Sequence, residues 1–313
     1  MRTKSGGTRC SAEPAVAIDT GFPYPFAQRS KITREGGEQP DPMQQTDTQI
    51  DRGAIHAIAS AFVAARRDGH ALPAYPGAIP PDLATAYQVQ DAALGLAEGE
   101  VVGWKVGRIN PAIDGIDRLS GPIFAGTVFA ATDGDLPMPI PMPIFADGFG
   151  AAEAEFLIRI GTAPDLAKTR YTMDEARDLI DAVHVGIEIA SSPFPGINSH
   201  GATVTISDFG NNYGLVVGEA IPDWRSIDLN QWPVTLDING NRIGAATAAT
   251  MLDGPIGAAR FLFEHMAARG IQLTPGQWIS SGAVTGVHPV AVGDGVTATF
   301  DGRHTVGCTI KAR

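Results

Sequence analysis

With 37 glycines and 23 prolines in 313 residues, the chain is interrupted too often for long helices. That spacing favours many turns and short strands over a helix bundle. From residue 101 onward, short apolar runs alternate with turn signals at 101–106, 156–160, 183–189, 215–217, 234–238 and 296–300. Asn239-Gly240 and Asp301-Gly302 predict tight hairpins, because these pairs accept the positive φ such turns demand. Two helices are expected among the strands. Thr172 and Glu175 form a capping box for one running to about residue 183. The other spans about 255–269, turning Ile256, Ala259, Leu262, Phe263 and Met266 inward and stopping at Gly270.

Before residue 101 the period is helical. Ile55, Ile58, Ala59, Phe62 and Val63 predict a helix that ends at Gly69, and Asp82 caps a second one with Leu83, Ala86, Tyr87 and Gln90 on one face. The fold class is therefore α+β. A helical cap over 51–100 precedes a β-rich body over 101–313, together forming one domain, 51–313. Residues 1–50 show no sustained period and read as a disordered leader whose removal leaves activity intact. Arg2, Lys4 and Arg9 resemble a transit peptide only faintly, and the apolar core of a secretory signal is missing.

Charge narrows the class of partner. The first 50 residues carry six bases and six acids, so the net charge of −11 sits on residues 51–313. An acidic body repels phosphate backbones, which argues against nucleic acid. No apolar run approaches bilayer length, and no basic amphipathic stretch suggests a membrane surface. Two cysteines, Cys10 and Cys308, are too few for a disulfide scaffold or a cysteine zinc site. They fit a reducing, cytoplasmic setting. Phosphate-binding glycine loops, zinc-protease and serine-hydrolase signatures are absent.

The segment Ala151-Ala-Glu153-Ala-Glu155-Phe-Leu-Ile-Arg-Ile160 carries the chemistry. On a strand, side chains alternate faces, so Phe156, Ile158 and Ile160 point one way and Glu153 and Glu155 the other. Two neighbouring carboxylates repel unless something neutralises them. In His184-Val-Gly-Ile-Glu188-Ile189, Glu188 is the lone acid of an apolar strand, and a buried unpaired carboxylate is costly. Two arrangements satisfy these constraints. Glu153 and Glu155 could line a solvated strand face while Glu188 pairs with an arginine. Alternatively, all three converge on a hard divalent cation such as Mg²⁺ or Mn²⁺.

Gly103-Trp-Lys105-Val-Gly107, Glu153-Ala-Glu155, Gly186-Ile-Glu188-Ile, and Ile206-Ser-Asp208 with Asn211-Asn212 and Gly218 resemble the 2-keto-4-pentenoate hydratase branch of the fumarylacetoacetate hydrolase superfamily. Tyr87-Gln-Val-Gln90 and Ile279-Ser-Ser-Gly-Ala-Val-Thr-Gly286 add to the likeness, which covers residues 51–313. The resemblance implies a mixed strand-rich β-roll and Mg²⁺ or Mn²⁺ on Glu153, Glu155 and Glu188. It also implies a small 2-oxo acid or dienol substrate and a homo-oligomer, with a complex with a decarboxylase or aldolase of the same pathway as a further option. The expected reaction is addition of water to a 2-hydroxy-2,4-dienoate, giving a 4-hydroxy-2-oxo acid. Lys105 is the candidate to neutralise the substrate carboxylate or move a proton, against a plain surface lysine. Ser281 is a candidate to hold the carboxylate or a water, against a turn cap. Asp208 and Asn211-Asn212, following an expected strand at 203–206, would orient Lys105 or metal waters, against an Asx-turn. His184 shares the Glu188 face. His56 and His265 fall in helices and His200 and His304 in turns, where they read as structural.

Two departures stand out. Where relatives carry a Ser-Arg pair after the third carboxylate strand, this chain reads Ala190-Ser-Ser-Pro-Phe-Pro-Gly196. Where relatives carry an acid before a proline, it reads Leu119-Ser-Gly-Pro122, with Asp114 or Asp117 as substitutes. The resemblance implies that acylpyruvate-hydrolysing relatives activate water with a His and a Glu on a mobile segment; residues 107–130 hold neither, which weakens acylpyruvate hydrolysis. The alternatives are therefore an oxalocrotonate-type decarboxylase, an acylpyruvate hydrolase, and a non-catalytic partner subunit.

Overall fold

The computed structural model describes residues 50–131 and 139–313. The expected leader, apart from Ile50, lies outside them. Helix α1 (Arg52–Asp68) opens where the Asp51 side chain accepts from the Ala54 N–H, and closes at Gly69, whose φ of 73° lets its N–H reach the Ala65 carbonyl. Helix α2 (Leu83–Leu96) is capped by Asp82, which accepts from the Thr85 N–H. Ile58, Ala59 and Phe62 of α1 pack with Val89 and Ala93 of α2 onto Phe194, Ile197, Val204 and Phe209 of the body.

The body begins with a long hairpin, β1 (Val101–Ile113) and β2 (Ile116–Phe124). It turns at Asp114-Gly115, both at positive φ. The expected strand ended at 106, because Arg108, Asn110 and Pro111 hide its continuation. After β3 (Val128–Ala130) and β4 (Ile140–Ile144) comes β5 (Phe149–Ile160), then the short helix α3 (Met173–Asp178) and β6 (Ile180–Ser192). The capping box of α3 is present, but the helix stops well before residue 183. The Leu179 carbonyl accepts from the Gly161 and Thr162 N–H groups, and Ile180 pairs with Ile160, so the sheet claims the backbone. Residues 203–206 are not a strand but part of helix α4 (Ala202–Ser207). Their β-branched composition suggested extension. Instead, the Thr205 hydroxyl donates to the Ile197 carbonyl and the Ser207 hydroxyl to the Thr203 carbonyl, which ties the turn closed.

The remaining elements are β7 (Asn212–Ala220), β8 (Pro233–Ile238), β9 (Asn241–Thr247), α5 (Gly254–Ala268), β10 (Trp278–Ser280), β11 (His288–Pro289), β12 (Gly295–Phe300) and β13 (His304–Ala312). Both predicted hairpin turns form, with positive φ at Asn239, Gly240, Asp301 and Gly302. His304, expected in a turn, opens β13.

These strands make two sheets in an α+β fold. One runs β2-β1-β10-β5-β6-β7-β3, with β11 paired to β5, and the other runs β4-β13-β12-β8-β9. They share one apolar core. Phe156, Ile158 and Ile187 from the first sheet meet Leu236, Ala298 and Phe300 from the second, with the Phe156 and Phe300 rings 5.2 Å apart. Helix α5 adds Leu262, Phe263 and Met266 to that core. The opposite face of the first sheet, across β1, β10, β5, β6 and β7, carries the polar residues described next.

Candidate active site

The antiparallel register of β5 on β6 sets Glu153 directly opposite Glu188, with Glu155 two residues along the same face. One carboxylate oxygen from each of the three lies within 4.8 Å of the others. Glu153 is 4% exposed and Glu155 and Glu188 are 0% exposed, which excludes a solvated face. Glu188 pairs with a lysine rather than an arginine: Lys105 Nζ lies 3.3 Å from its Oε1. Lys105 arrives because β1 runs parallel to β10, setting Lys105 beside Ser280, while Ser280 sits opposite Leu157 of β5.

The electrostatics are unbalanced. Burial pushes the Glu153 carboxyl up to about 7, with Glu188 adding to the push and Lys105 opposing it. Burial, then Glu188 and Glu153, drive Glu155 well above the ordinary carboxylate range. Burial alone would pull the Lys105 ammonium down. Glu188, Glu153 and Glu155 outweigh it and hold the lysine above its usual value. One ammonium thus faces three carboxylates.

The donor set also leaves oxygens unused. Glu155 Oε2 accepts from the Ser280 hydroxyl at 2.5 Å and from the Gly282 N–H at 2.9 Å. Among the described residues, Glu155 Oε1 and Glu188 Oε2 are buried without a hydrogen-bond partner. Buried unpartnered carboxylate oxygens are expensive. Three clustered carboxylates with free oxygens suit a hard divalent cation, so the residues present fit Mg²⁺ or Mn²⁺.

Other expected residues fall into place or away from it. Ser281 is buried, its hydroxyl has no partner among the described residues, and it lines a cleft of about 680 Å³ with Lys105, Glu153 and Asn211. Ile109, Leu119 and Met251 form apolar walls of the same cleft. Asn211 Oδ1 accepts from Lys105 Nζ at 3.3 Å, and Asn212 Nδ2 donates to Glu188 Oε1 at 2.9 Å. Asp208, expected to orient Lys105 or metal waters, makes no hydrogen bond or ion pair with Lys105. Its carboxylate is taken by Arg66 of α1, at 2.5 Å from Nε and 3.0 Å from Nη2. Asp114 sits exposed at the β1–β2 turn and Asp117 pairs with Arg118, so neither lines the cleft. His184 bonds the Gly218 carbonyl and sets its ring edge-on to Trp278, outside the cleft lining.

Two participants escaped the sequence reading. Ser280 was overlooked beside Ser281, although strand alternation from Ile279 would have turned it toward Glu155. Arg66 carries no motif at all, being one of two basic residues in the last turn of an amphipathic helix. Gly121 of β2 is required for a close approach, since a Cβ there would stand 2.1 Å from the Phe209 carbonyl oxygen.

No family model matches the chain. It is 28% identical over 238 residues to a 2-keto-4-pentenoate hydratase of Burkholderia vietnamiensis, covering 73% of this chain and 86% of that protein. It is 27% identical over 261 residues to the TodF product hydratase of Pseudomonas putida, covering 80% and 93%. A 4-oxalocrotonate decarboxylase of Pseudomonas sp. strain CF600 is 26% identical over 108 residues, a match spanning 34% of this chain and only 39% of that relative. In structure, the 4-oxalocrotonate decarboxylase of Pseudomonas putida G7, complexed with magnesium and adipate, aligns with a TM-score of 0.69. It is 19% identical and covers 83% of this chain and 98% of that one. That likeness establishes the fold. Over most of its length the sequence is similar to the 2-keto-4-pentenoate hydratases, the branch to which its motifs pointed.

Proposed function

We propose that residues 51–313 form a divalent-metal-dependent hydro-lyase that adds water to a 2-hydroxy-2,4-dienoate, giving a 4-hydroxy-2-oxo acid. The observation that carries the reading is the buried cluster of Glu153, Glu155 and Glu188 with two unpartnered oxygens, beside Lys105, with Lys105 and Glu153 lining the cleft. Glu153, Glu155 and Glu188 would hold Mg²⁺ or Mn²⁺. When bound, that cation supplies Lewis-acid stabilisation for negative charge on the substrate's C1 carboxylate and C2 oxygen.

The chain's own groups supply the rest. Lys105, fixed between Glu188 and Asn211, keeps its proton and sets a positive charge beside the substrate carboxylate. The Ser281 hydroxyl is free to donate to that carboxylate or to position the water. Ketonisation places a proton on the terminal carbon C5 and leaves C4 electron-poor. Water then adds its oxygen at C4 and returns a proton to C3. The apolar cleft walls at Ile109, Leu119 and Met251 take the hydrocarbon end and limit bulk water. Asp208 has no part in these steps, because Arg66 occupies it.

Decarboxylation of a vinylogous oxo-diacid is the second reading, favoured by the fold shared with the decarboxylase of Pseudomonas putida G7. Longer coverage of the hydratases places hydration first. By the resemblance to the hydratase branch, we further propose a homo-oligomer working in the cytoplasm. The test is to strip the protein with EDTA, add 2-hydroxypenta-2,4-dienoate, then Mg²⁺ or Mn²⁺, following dienol absorbance and product mass. A metal-dependent gain of one water supports hydration. Release of carbon dioxide from 4-oxalocrotonate without turnover of the dienoate would replace it with decarboxylation.

A further inference from the structure

Between α4 and β7, the backbone passes through three consecutive left-handed residues: Phe209 (φ 55°), Gly210 (64°) and Asn211 (58°). Phe209 and Asn211 carry side chains, and L residues adopt this region at a cost that the surroundings must hold in place. The Asn211 N–H bonds the Asp208 carbonyl, Asn211 Nδ2 donates to Asn198 Oδ1, the Phe209 ring packs on Phe124, and one guanidinium spans the whole turn. Arg66 donates from Nε and Nη2 to the Asp208 carboxylate, from Nη2 to the Asp208 carbonyl at 3.2 Å, and from Nη1 to the Asn212 carbonyl at 3.0 Å. A further Nη2 bond, at 3.2 Å, reaches the Ser191 carbonyl at the end of β6. The planar fork therefore grips both ends of the strained turn at once, which an ammonium cannot do. The Phe209 ring covers it at 5.2 Å. Arg66 is 9% exposed and Asp208 is fully buried, so the pair is desolvated and its geometry is held by the core.

The two asparagines that follow are the ones that touch the carboxylate cluster. Asn211 accepts from Lys105, and Asn212 donates to Glu188. We propose that Arg66 is a positioning residue for the metal-binding carboxylates. By clamping residues 208–212 from the helical cap, it holds Asn212 on Glu188 and Asn211 on Lys105. Its contact with the Ser191 carbonyl also brings a guanidinium to the stretch 190–196, where the sequence has no arginine. The cap is then part of the active site and not only a cover. The inference rests on the reading of Glu153, Glu155 and Glu188 as metal ligands.

The test uses the full chain and Mn²⁺ alone, with the dissociation constant measured from the electron paramagnetic resonance signal of free Mn²⁺. Four variants are compared with wild type: Arg66→Lys, Asn212→Ala, the two combined, and the charge-neutral pair Arg66→Met with Asp208→Leu. Arg66→Lys is expected to weaken Mn²⁺ binding by about 10- to 100-fold, the range seen when a group behind a ligand is lost. Asn212→Ala should weaken it similarly, and the combination should add little, because both act through one contact on Glu188. The charge-neutral pair buries no unpaired charge, so it should fold cooperatively in urea and still bind Mn²⁺ at least about tenfold more weakly. Wild-type affinity in folded Arg66→Lys or in the charge-neutral pair, or fully additive losses in the combination, would overturn the proposal and leave the metal reading intact. A wild type that binds no Mn²⁺ would overturn both.

Discussion

Strands β5 and β6 share one backbone ladder but present two faces with opposite energetics. On one face Ala154, Phe156, Ile158, Val185, Ile187 and Ile189 enter the common core of the two sheets. On the other, Glu153, Glu155 and Glu188 are buried just as deeply but crowd like charge into a low-dielectric space with one lysine. The apolar face stabilises the fold through area removed from water, whereas the acidic face works against it. A fold retains such a face where a bound cation or a reaction needs it. The contrast shows that burial by itself does not distinguish structural from functional residues. What distinguishes them is whether the buried atoms are satisfied.

The largest effect expected from breaking this contrast lies on the acidic face. Glu155→Gln keeps the shape and removes one charge. Turnover of the dienoate should fall about 1000-fold, in line with losing a metal-held transition-state interaction. In metal-free protein held alkaline enough to ionise Glu155, the variant should melt at a higher temperature than wild type, because a repelling carboxylate is gone. Steady-state kinetics with excess Mg²⁺ and calorimetry in EDTA check the two halves. A lower melting temperature would show that Glu155 is satisfied in the metal-free state, contrary to its free oxygen.

On the other face, Phe156→Ala should cost about 3–5 kcal/mol in urea unfolding, since it empties the contact with Phe300. The fraction that stays folded should bind Mn²⁺ within a few-fold of wild type. A large loss of affinity there would mean that the two faces are mechanically coupled.

pH acts with opposite sign on the acidic face and on helix α5. Glu153 is raised from 4.5 to about 7, so the folded metal-free protein keeps a proton that the unfolded chain has released. Its contribution to stability is full below about pH 4.5 and is lost as pH rises toward 7. His265 does the opposite. Its ring lies against Phe261 and Tyr87, and burial, with Arg269 adding, lowers it from 6.5 to about 4. Its stabilising effect is full above pH 6.5 and is lost as pH falls toward 4, at most about 3 kcal/mol. In urea titrations of EDTA-treated protein, Glu153→Gln should remove the loss between pH 4.5 and 7, and His265→Phe the loss between 6.5 and 4. Identical pH profiles in both variants would contradict these assignments.

The smallest expected effect is at Ser281. Ser281→Ala should lower kcat/KM about tenfold, the scale of one hydrogen bond to a charged group, without altering Mn²⁺ affinity. An unchanged kcat/KM would reduce this hydroxyl to a turn residue.

Much of the scaffold was legible residue by residue. Asp82 as a helix cap, Gly69 as a stop, and the Asn239-Gly240 and Asp301-Gly302 turns depend on a few neighbouring dihedrals, so local chemistry decides them. The places where local reading failed are the places where distant partners won. Leu179 and Ile180 left the helix because Ile160, Gly161 and Thr162 offered a sheet edge. The β-branched run at 203–206 coiled as the Thr205 hydroxyl found the Ile197 carbonyl and the adjoining Ser207 hydroxyl the Thr203 carbonyl. By the resemblance Asp208 looked like a partner for Lys105, yet α1 delivers Arg66 to it across 142 residues of chain.

By itself, the sequence determined that Glu153 and Glu155 share one side of a strand and that Glu188 stands alone among apolar neighbours. Alternation is a property of the extended backbone and needs no partner. Only the tertiary structure decided that Glu188 would lie opposite Glu153 and that Lys105 and Ser280 would arrive through the parallel pairing of β1 with β10. It alone set the strained turn at 208–212 under a guanidinium from the cap. Register and long-range ion pairs are set by which ladders and cores close together, and that choice is made by the whole chain.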